Sequence, residues 1–507
     1  MVKSVLEYLE NSAARFPDKK AVADDKSSMT YSELVNNARN IAAGLLPYTE
    51  RRQAVPVYMD KSCHTLALFM GAVMAGCFYV CLDPSQPAER INMILETLEA
   101  KLMVVDEKSA KKQAKLGFDG PVLNIDELMT HEVTEEENEK LAQIRSEALD
   151  IDPLYSIFTS GSTGVPKGVI VNHRSVIDFI DCFTDTFNIS ENDIIGNQAP
   201  FDFDVSVKDI YSTLKCGATI QIIPKQLFSF PTKLLDYLDD NNVTTLVWAV
   251  SALCIVTTLN GFEYKVPSKI NKVIFSGEVM PIKHLNLWRK AYPDAMFVNV
   301  YGPTEITCNC TYYIVDREFS DGETLPIGRA CDNCDVFVVK EDSTAADVGE
   351  EGELYARGSF LAMGYYNNPE KTAAAFVQNP LNTAYPETVY KTGDLVKRNE
   401  NGELIYISRK DFQIKHMGYR IELGEIEAAA YAAEGLSSAA VIYDKQEDKI
   451  ILVYTGRQKD VAEIMNALKS RLPDYMLPQK IIRVKTMPIN ANGKTDRKWL
   501  TANYKNI

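Results

Sequence analysis

Through its first four hundred residues the chain alternates helix-patterned segments with short β-rich runs, and that rhythm constrains the fold more than any other feature. LVNNARNIAAGLL is followed by AVPVYM, and TIQIIP, TTLVWAV, KVIFSG and FVNVYG recur as apolar runs ending in small or turn-forming residues. Strands that alternate with helices predict parallel sheets covered by helices, an α/β class, with ligands gathered at the strands' carboxyl ends. Near Ser408 the texture changes: LIYIS runs into RKDFQIKHMGYR, then a helix IELGEIEAAAYAA, strands AAVIYD and KIILVYTG, and a helix VAEIMNALKSRL. A large amino-terminal domain over residues 1–409 and a small mobile α+β domain over 410–507 are expected, with Asp411 in a short charged hinge. A chain of 507 residues also exceeds what one core usually supports.

Charge and cysteine usage exclude several classes. A net charge of -15 and a pI near 5.0 disfavour nucleic acid as a partner, because that affinity needs clustered Lys and Arg. Glu7 and Glu10 interrupt the amino terminus where a secretion signal needs an apolar run, so a cytoplasmic protein is expected. Thr65 to Leu82 is uncharged, but Gly71, Gly76 and Asp83-Pro84 break it into a buried helix, a turn and a strand, with no membrane span. Ten scattered cysteines read as reduced thiols, and Cys331-x-x-Cys334 as structural rather than half a zinc site.

Three segments carry chemistry. Thr159, Ser160, Gly161, Ser162, Thr163 and Gly164, followed by Lys167, come directly after the strand-like LYSIF. Such glycines let backbone N–H groups converge on an anion, the hydroxyls add donors and the lysine adds charge; a flexible linker is the alternative. The standard phosphate-loop spacing fails, since Pro166 stands where glycine is required. In NVYGPTE, Asn299 offers an amide to a base edge and Tyr301 a ring, while Gly302-Pro303 forms a turn. Thr304 offers a hydroxyl and Glu305 a hard oxygen for Mg2+. Asp394 in YKTGD can accept ribose hydroxyls with Arg409 nearby, although surface ion pairing is the commoner fate of such residues.

In order and across nearly the whole chain, these segments resemble the adenylate-forming superfamily of acyl-CoA synthetases, luciferases and peptide-synthetase adenylation domains. MTYSEL (29–34), GEL (352–354) with Gly364-Tyr365, DFQIK (411–415), LPDYMLP (472–478) and NGKTDR (492–497) add to the likeness. The resemblance implies a β-barrel-like part within the large domain, ATP and Mg2+ as cofactors, and Lys494 as the catalytic lysine. It also implies a rotation about Asp411 that brings the loop around His416 to Gly418 to the site for thioester formation.

FDFDVS (201–206) resembles the segment by which amino-acid-activating members hold their substrate, with Asp204 at the amino-binding position. A buried ammonium needs a carboxylate, whereas a simple acid does not. Matching the other pocket positions implies Val205, Lys208, Ser251, Ile274, Ser276, Val300, Cys308 and Asn309 as side-chain contacts. The branch most resembled is the free-standing D-alanine carrier-protein ligases, although Ser276 and Lys208 depart from its pattern. Lys208 falls four residues after Asp204 on a helical continuation, which allows an internal pair. The reaction implied is formation of an aminoacyl-AMP and pyrophosphate, then of a thioester on the phosphopantetheine arm of a separate carrier protein, since no carrier segment follows Lys494. A peptide-synthetase-type enzyme for a polar or acidic amino acid, an acyl-CoA synthetase and a non-catalytic nucleotide-binding regulator are the alternatives.

Overall fold

The computed structural model describes residues 2–161, 164–320, 322–431, 436–457, 461–489 and 495–507. The predicted alternation builds two large mixed sheets. In the nine-stranded one, Thr219–Ile222, Ile194–Asn197, Thr245–Ala249, Lys272–Ser276 and Met296–Tyr301 lie side by side and parallel. In the seven-stranded one, Pro153–Thr159, Phe78–Cys81, Ala54–Tyr58, Met103–Val105 and Val122–Asn124 do the same. Parallel neighbours need crossovers, and helices supply them: Val205–Cys216 returns the chain from Ile194–Asn197 to Thr219–Ile222. Cys334–Val339, Glu351–Gly358, Thr388–Arg398, Phe376–Gln378 and Leu404–Arg409 form a separate five-stranded antiparallel sheet.

Local chemistry accounts for the element ends. In MTYSEL the Thr30 hydroxyl accepts from the Glu33 N–H at 3.2 Å, while the Glu33 carboxylate accepts from the Thr30 N–H at 2.7 Å. This reciprocal cap starts the helix Tyr31–Leu45 and is worth about 1 kcal/mol. The uncharged stretch becomes helix Cys63–Met74, a turn at Gly76 with φ +75°, and strand Phe78–Cys81. Among the described residues no helix is long and apolar enough to cross a membrane. Phe69 of that helix stacks on Tyr79 at 3.9 Å, and the Tyr79 hydroxyl meets that of Tyr211 at 2.9 Å, tying the second sheet to helix Val205–Cys216.

One expectation is corrected beyond the junction. The helix expected over residues 421–433 begins only at Leu423 and runs to Ala430. Ile421 and Glu422 instead pair with Ile414 and Gln413 in a hairpin. Its two-residue turn puts Met417 at φ 53° and Gly418 at φ 82°, the left-handed pair that matches the twist of short hairpins.

Among the described residues no apolar cluster mixes members before Tyr406 with members after Ile414. The two parts meet largely through polar contacts. Arg90 on helix Ala88–Leu98 pairs with Glu425, both fully buried, and the second Glu425 oxygen accepts from the Gly161 N–H at 3.2 Å. Arg90→Met would leave that carboxylate buried and unpaired, a loss of about 3–5 kcal/mol. Faster amide exchange and proteolysis across residues 410–425 are expected, and protection equal to the parent chain's would show that this pair does not hold the two parts together.

Candidate active site

The carboxyl ends of Pro153–Thr159, Thr245–Ala249, Lys272–Ser276 and Met296–Tyr301 open onto one crevice of about 1710 Å³. Thr159, Ser160, Asn299, Tyr301, Gly302, Thr304, Asp394, Arg409 and Asp411 line it, together with Lys415 to Gly418 and Arg420 from the hairpin. Residues separated by more than 250 positions thus face one another, as sheets with ligands at their strand ends require.

Glu305 forms the tightest polar cluster. It sits in a single 3-10 turn, Thr304–Ile306, directly after Met296–Tyr301, and is fully buried. Its carboxylate accepts from Lys167 Nζ at 3.2 Å, Tyr365 Oη at 2.7 Å and Arg420 Nη1 at 2.6 Å. Burial alone would raise its pKa, but Arg420, Lys167 and the hydrogen bonds hold the carboxyl well below the usual range. Lys167 is shifted down, first by burial and then by the Arg420 charge. Beside this cluster, the Ser160 hydroxyl donates to the Arg420 carbonyl at 2.9 Å and accepts from the Glu422 N–H at 3.2 Å. The Gly164 N–H donates to the Gly161 carbonyl at 2.9 Å, and Gly164 has φ +84°.

A second cluster lies at the end of YKTGD. Asp394 accepts from the Tyr301 hydroxyl and from Arg409 Nη1 at 2.9 Å; Arg409 also grips both oxygens of Asp411, at 2.7 and 2.8 Å. Lys415 Nζ lies 5.4 Å from the Tyr301 ring centre, and the Asn299 amide donates to the Pro326 carbonyl at 2.8 Å.

Asp204 occupies the N-cap of helix Val205–Cys216 yet makes no side-chain cap hydrogen bond. Aspartate at that position ordinarily caps; here the side chain turns to the crevice, beside the Thr304 hydroxyl. Burial pushes its carboxyl above the ordinary value, against the pull of Lys208 and Thr304. Val205, Ser251, Ser276, Val300, Cys308 and Asn309 also line the crevice. Lys208 and Ile274 do not: Ile274 belongs to the core, and Lys208 lies beneath the floor with Nζ donating to Asn309 Oδ1 at 2.8 Å. The internal pair with Asp204 is accordingly replaced by this bond to an amide. Ser162, Thr163 and Lys494 fall outside the described residues.

Sequence reasoning gave no role to Arg420, Tyr365, Glu425 or Arg90. Arg420 and Glu425 stand in HMGYRIELGEIE among other charged residues, and their partners Glu305 and Arg90 lie 115 and 335 positions away, so no local signal singled them out. Gly302 shows why its position admits no side chain: a β-carbon there would fall 2.4 Å from Asn309 Cα and 2.8 Å from the Cys308 carbonyl oxygen. Gly302→Ala is expected to cost about 1–3 kcal/mol through forced backbone displacement. Thermal denaturation checks this, and an unchanged Tm would mean the Cys308–Asn309 loop yields freely.

Comparison with known proteins adds to this geometry. Residues 9–366 match the AMP-binding enzyme family, and residues 425–494 match the AMP-binding enzyme C-terminal domain. The chain is 32% identical to the D-alanine–D-alanyl carrier protein ligase of Bacillus cytotoxicus over 513 residues, covering 98% of each. It is 33% identical over 507 residues to tyrocidine synthase 3 of Brevibacillus parabrevis, covering 98% of this chain but 8% of that protein. At 30% identity it likewise spans 45% of tyrocidine synthase 1 from the same organism, so it covers less than half the length of either synthase. The Vibrio cholerae adenylation domain AlmE, in complex with glycyl-adenosine-5'-phosphate, shares the fold with a TM-score of 0.84 at 20% identity, covering 100% of this chain and 98% of that one. With a family match over most of its length and a full-length relative above 30% identity, the chain belongs to the AMP-binding enzyme family of adenylate-forming ligases.

Proposed function

We propose that this ligase activates a small amino acid, D-alanine or another of similar size, as its aminoacyl-adenylate and passes it to the phosphopantetheine thiol of a separate carrier protein in the cytoplasm. The carrying observation is Asp204: a recessed carboxylate, not used to cap its own helix, faces the crevice beside Thr304. A substrate ammonium satisfies such a group, and an acyl-CoA synthetase substrate has none to offer. The full-length carrier-protein ligase relative supports the acceptor.

The polar groups present fit the nucleotide. Thr159, which lines the crevice at the mouth of the glycine-rich loop, has no hydrogen-bond partner for its Oγ1 among the described residues and suits a phosphate oxygen. Asp394, fixed between Tyr301 and Arg409, keeps lone pairs for ribose hydroxyls. Glu305 would offer Mg2+ one hard oxygen beside those of the phosphates once Arg420, which takes its Oε2 at 2.6 Å here, withdraws. Among the described residues no cluster of three His, Cys, Asp or Glu forms an all-protein metal site. MgATP, when bound, supplies the α-phosphorus and the pyrophosphate leaving group.

In this reading Asp204 anchors the ammonium and so aims the substrate carboxylate at the α-phosphorus. An oxygen–phosphorus bond forms as the bond to pyrophosphate breaks, and Lys494 neutralises charge on the phosphoryl oxygens. The carrier thiolate then attacks the acyl carbon and AMP leaves. The hairpin turn at the crevice, where the Gly418 N–H donates to Glu278 Oε1 at 2.8 Å, supports an arrangement suited to this second step. Residues 410–507 would act as the moving lid, with Asp411 at the hinge.

Amino-acid-dependent pyrophosphate release with MgATP tests the proposal; release only with acids lacking an amino group would overturn it. Asp204→Ala should lower kcat/KM for the amino acid on the order of 100-fold, the cost of leaving a buried charge unpaired. Lys494→Ala should abolish adenylate formation while ATP still binds, as equilibrium dialysis would show. Asp411→Pro should slow one half-reaction more than the other, and equal rates in rapid-quench measurements would rule out the hinge.

A further inference from the structure

Lys208 is a lysine sealed under the floor of the crevice, 1% exposed, on the inward face of helix Val205–Cys216. Among the described residues its ammonium is in no ion pair within 4.0 Å; the contact it makes is to Asn309 Oδ1 at 2.8 Å. Asp204 and Asp209 on the same helix supply the compensating field. An ammonium has donors and no lone pair, so it can face only the oxygen of an amide. Asn309 is therefore locked in one of its two flips, with Oδ1 turned down to Lys208 and the Nδ2 donors on the opposite side of the amide.

Asn309 lines the crevice although only 2% of it is exposed. Its Nδ2 has no partner among the described residues and is not among the fully buried unpaired atoms, so what reaches the crevice is the amide's donor end. The backbone holds it from behind. Gly302 lies against Asn309 Cα where no β-carbon fits, and Thr307 and Cys308 are both left-handed, at φ 51° and 73°. The Cys308 thiol donates to the Asp204 carbonyl at 3.1 Å, joining this loop to the helix that carries Asp204 and Lys208. Two strained non-glycine residues in succession cost on the order of 1 kcal/mol or more each, and such strain persists where surrounding contacts determine a particular side-chain placement.

We infer that Lys208 is a positioning residue that aims the Asn309 N–H donors into the amino-acid cavity, so that the preferred substrate is a small amino acid whose side chain carries an oxygen acceptor. This deepens the amino-acid-activating reading and rests on it. Asp204 takes the ammonium, and a hydroxyl, amide or carboxylate oxygen takes the Asn309 donors, which an alkyl side chain would leave unpaired. A site built around such a donor discriminates against analogues lacking the acceptor.

The test is the kcat and KM of pyrophosphate release for both enantiomers of serine, threonine, asparagine and aspartate against alanine, 2-aminobutyrate and glycine. It is run on the parent chain and on Lys208→Met, Lys208→Arg and Asn309→Leu. At least one oxygen-bearing amino acid should exceed alanine about tenfold in kcat/KM, carried by KM. That ratio should collapse toward one in Lys208→Met and Asn309→Leu and recover in Lys208→Arg, with the change carried by KM rather than kcat. A parent preference for alanine or glycine, or an oxygen preference that survives in both Lys208→Met and Asn309→Leu, would overturn the inference and leave amino-acid activation standing. Activity confined to acids without an amino group would overturn both.

Discussion

The carboxylate of Glu305 is the point on which the arrangement depends. Three donors from three separate segments converge on it: Lys167 from the strand after the glycine-rich loop, Tyr365 from the edge of the seven-stranded sheet, and Arg420 from the hairpin. The Glu305 carbonyl also accepts from the Ala362 N–H at 3.0 Å, so the backbone of the turn is fixed as well. A carboxylate removed from water costs several kcal/mol unless it is paired, and this one is paired by groups that come together only when both sheets and the hairpin are in place. Its pKa is depressed in the folded chain. Its contribution is therefore fully present above the ordinary carboxylate value and is lost only as pH falls through the lowered folded value.

The same constraint governs how the two parts of the chain meet. Apolar clusters stop on either side of the junction, and the contacts across it include ionic and hydrogen-bonded ones, Arg420 to Glu305, Arg90 to Glu425 and the Gly418 N–H to Glu278, beside the edge-on packing of Phe203 and Tyr419 at 4.8 Å. Buried ion pairs lose much of their Coulomb gain to desolvation, so such an interface is specific in register yet separable at modest free energy. Arg420 and a cation brought to Glu305 would draw on the same carboxylate.

Much of this was legible in the sequence where the determinant is local. Alternating apolar runs gave the parallel sheets because strands covered on both faces must be apolar throughout, and Gly76 with Asp83-Pro84 marked the helix, turn and strand that a charge-free window alone would confuse with a membrane span. Asp204 was marked by the resemblance of FDFDVS to the family's substrate-holding segment, while Asp394 and the glycine-rich loop were marked by residue chemistry that an ion pair or a linker would also satisfy. Partners chosen across the chain were not. Lys208 lies four residues from Asp204, which invited a pair along the helix, but its nearest acceptor comes from Asn309, 101 positions away. The hairpin before Leu423 was hidden because IELGEIE has a helical pattern, and only the left-handed turn at Met417 and Gly418 pulls its first two residues into a strand.

Asp204 departs from the way the other polar N-cap residues serve the fold. Thr30, Asp106, Thr134 and Asn172 all sit at N-caps and all accept from their own helices. Asp204 has the same position and the same opportunity, worth about 1 kcal/mol, and leaves it unused. Its φ and ψ, at -63° and -22°, are already helical, which turns the carboxylate away from the first-turn N–H groups and toward Thr304 and the crevice. The left-handed pair at Thr307 and Cys308 forgoes local stability in the same neighbourhood, as does the missing side chain at Gly302. Local preferences are overridden at three neighbouring points, and the Cys308–Asn309 loop among them is tied to Asp204 and Lys208, an arrangement that a pocket shaped around a specific small molecule would require.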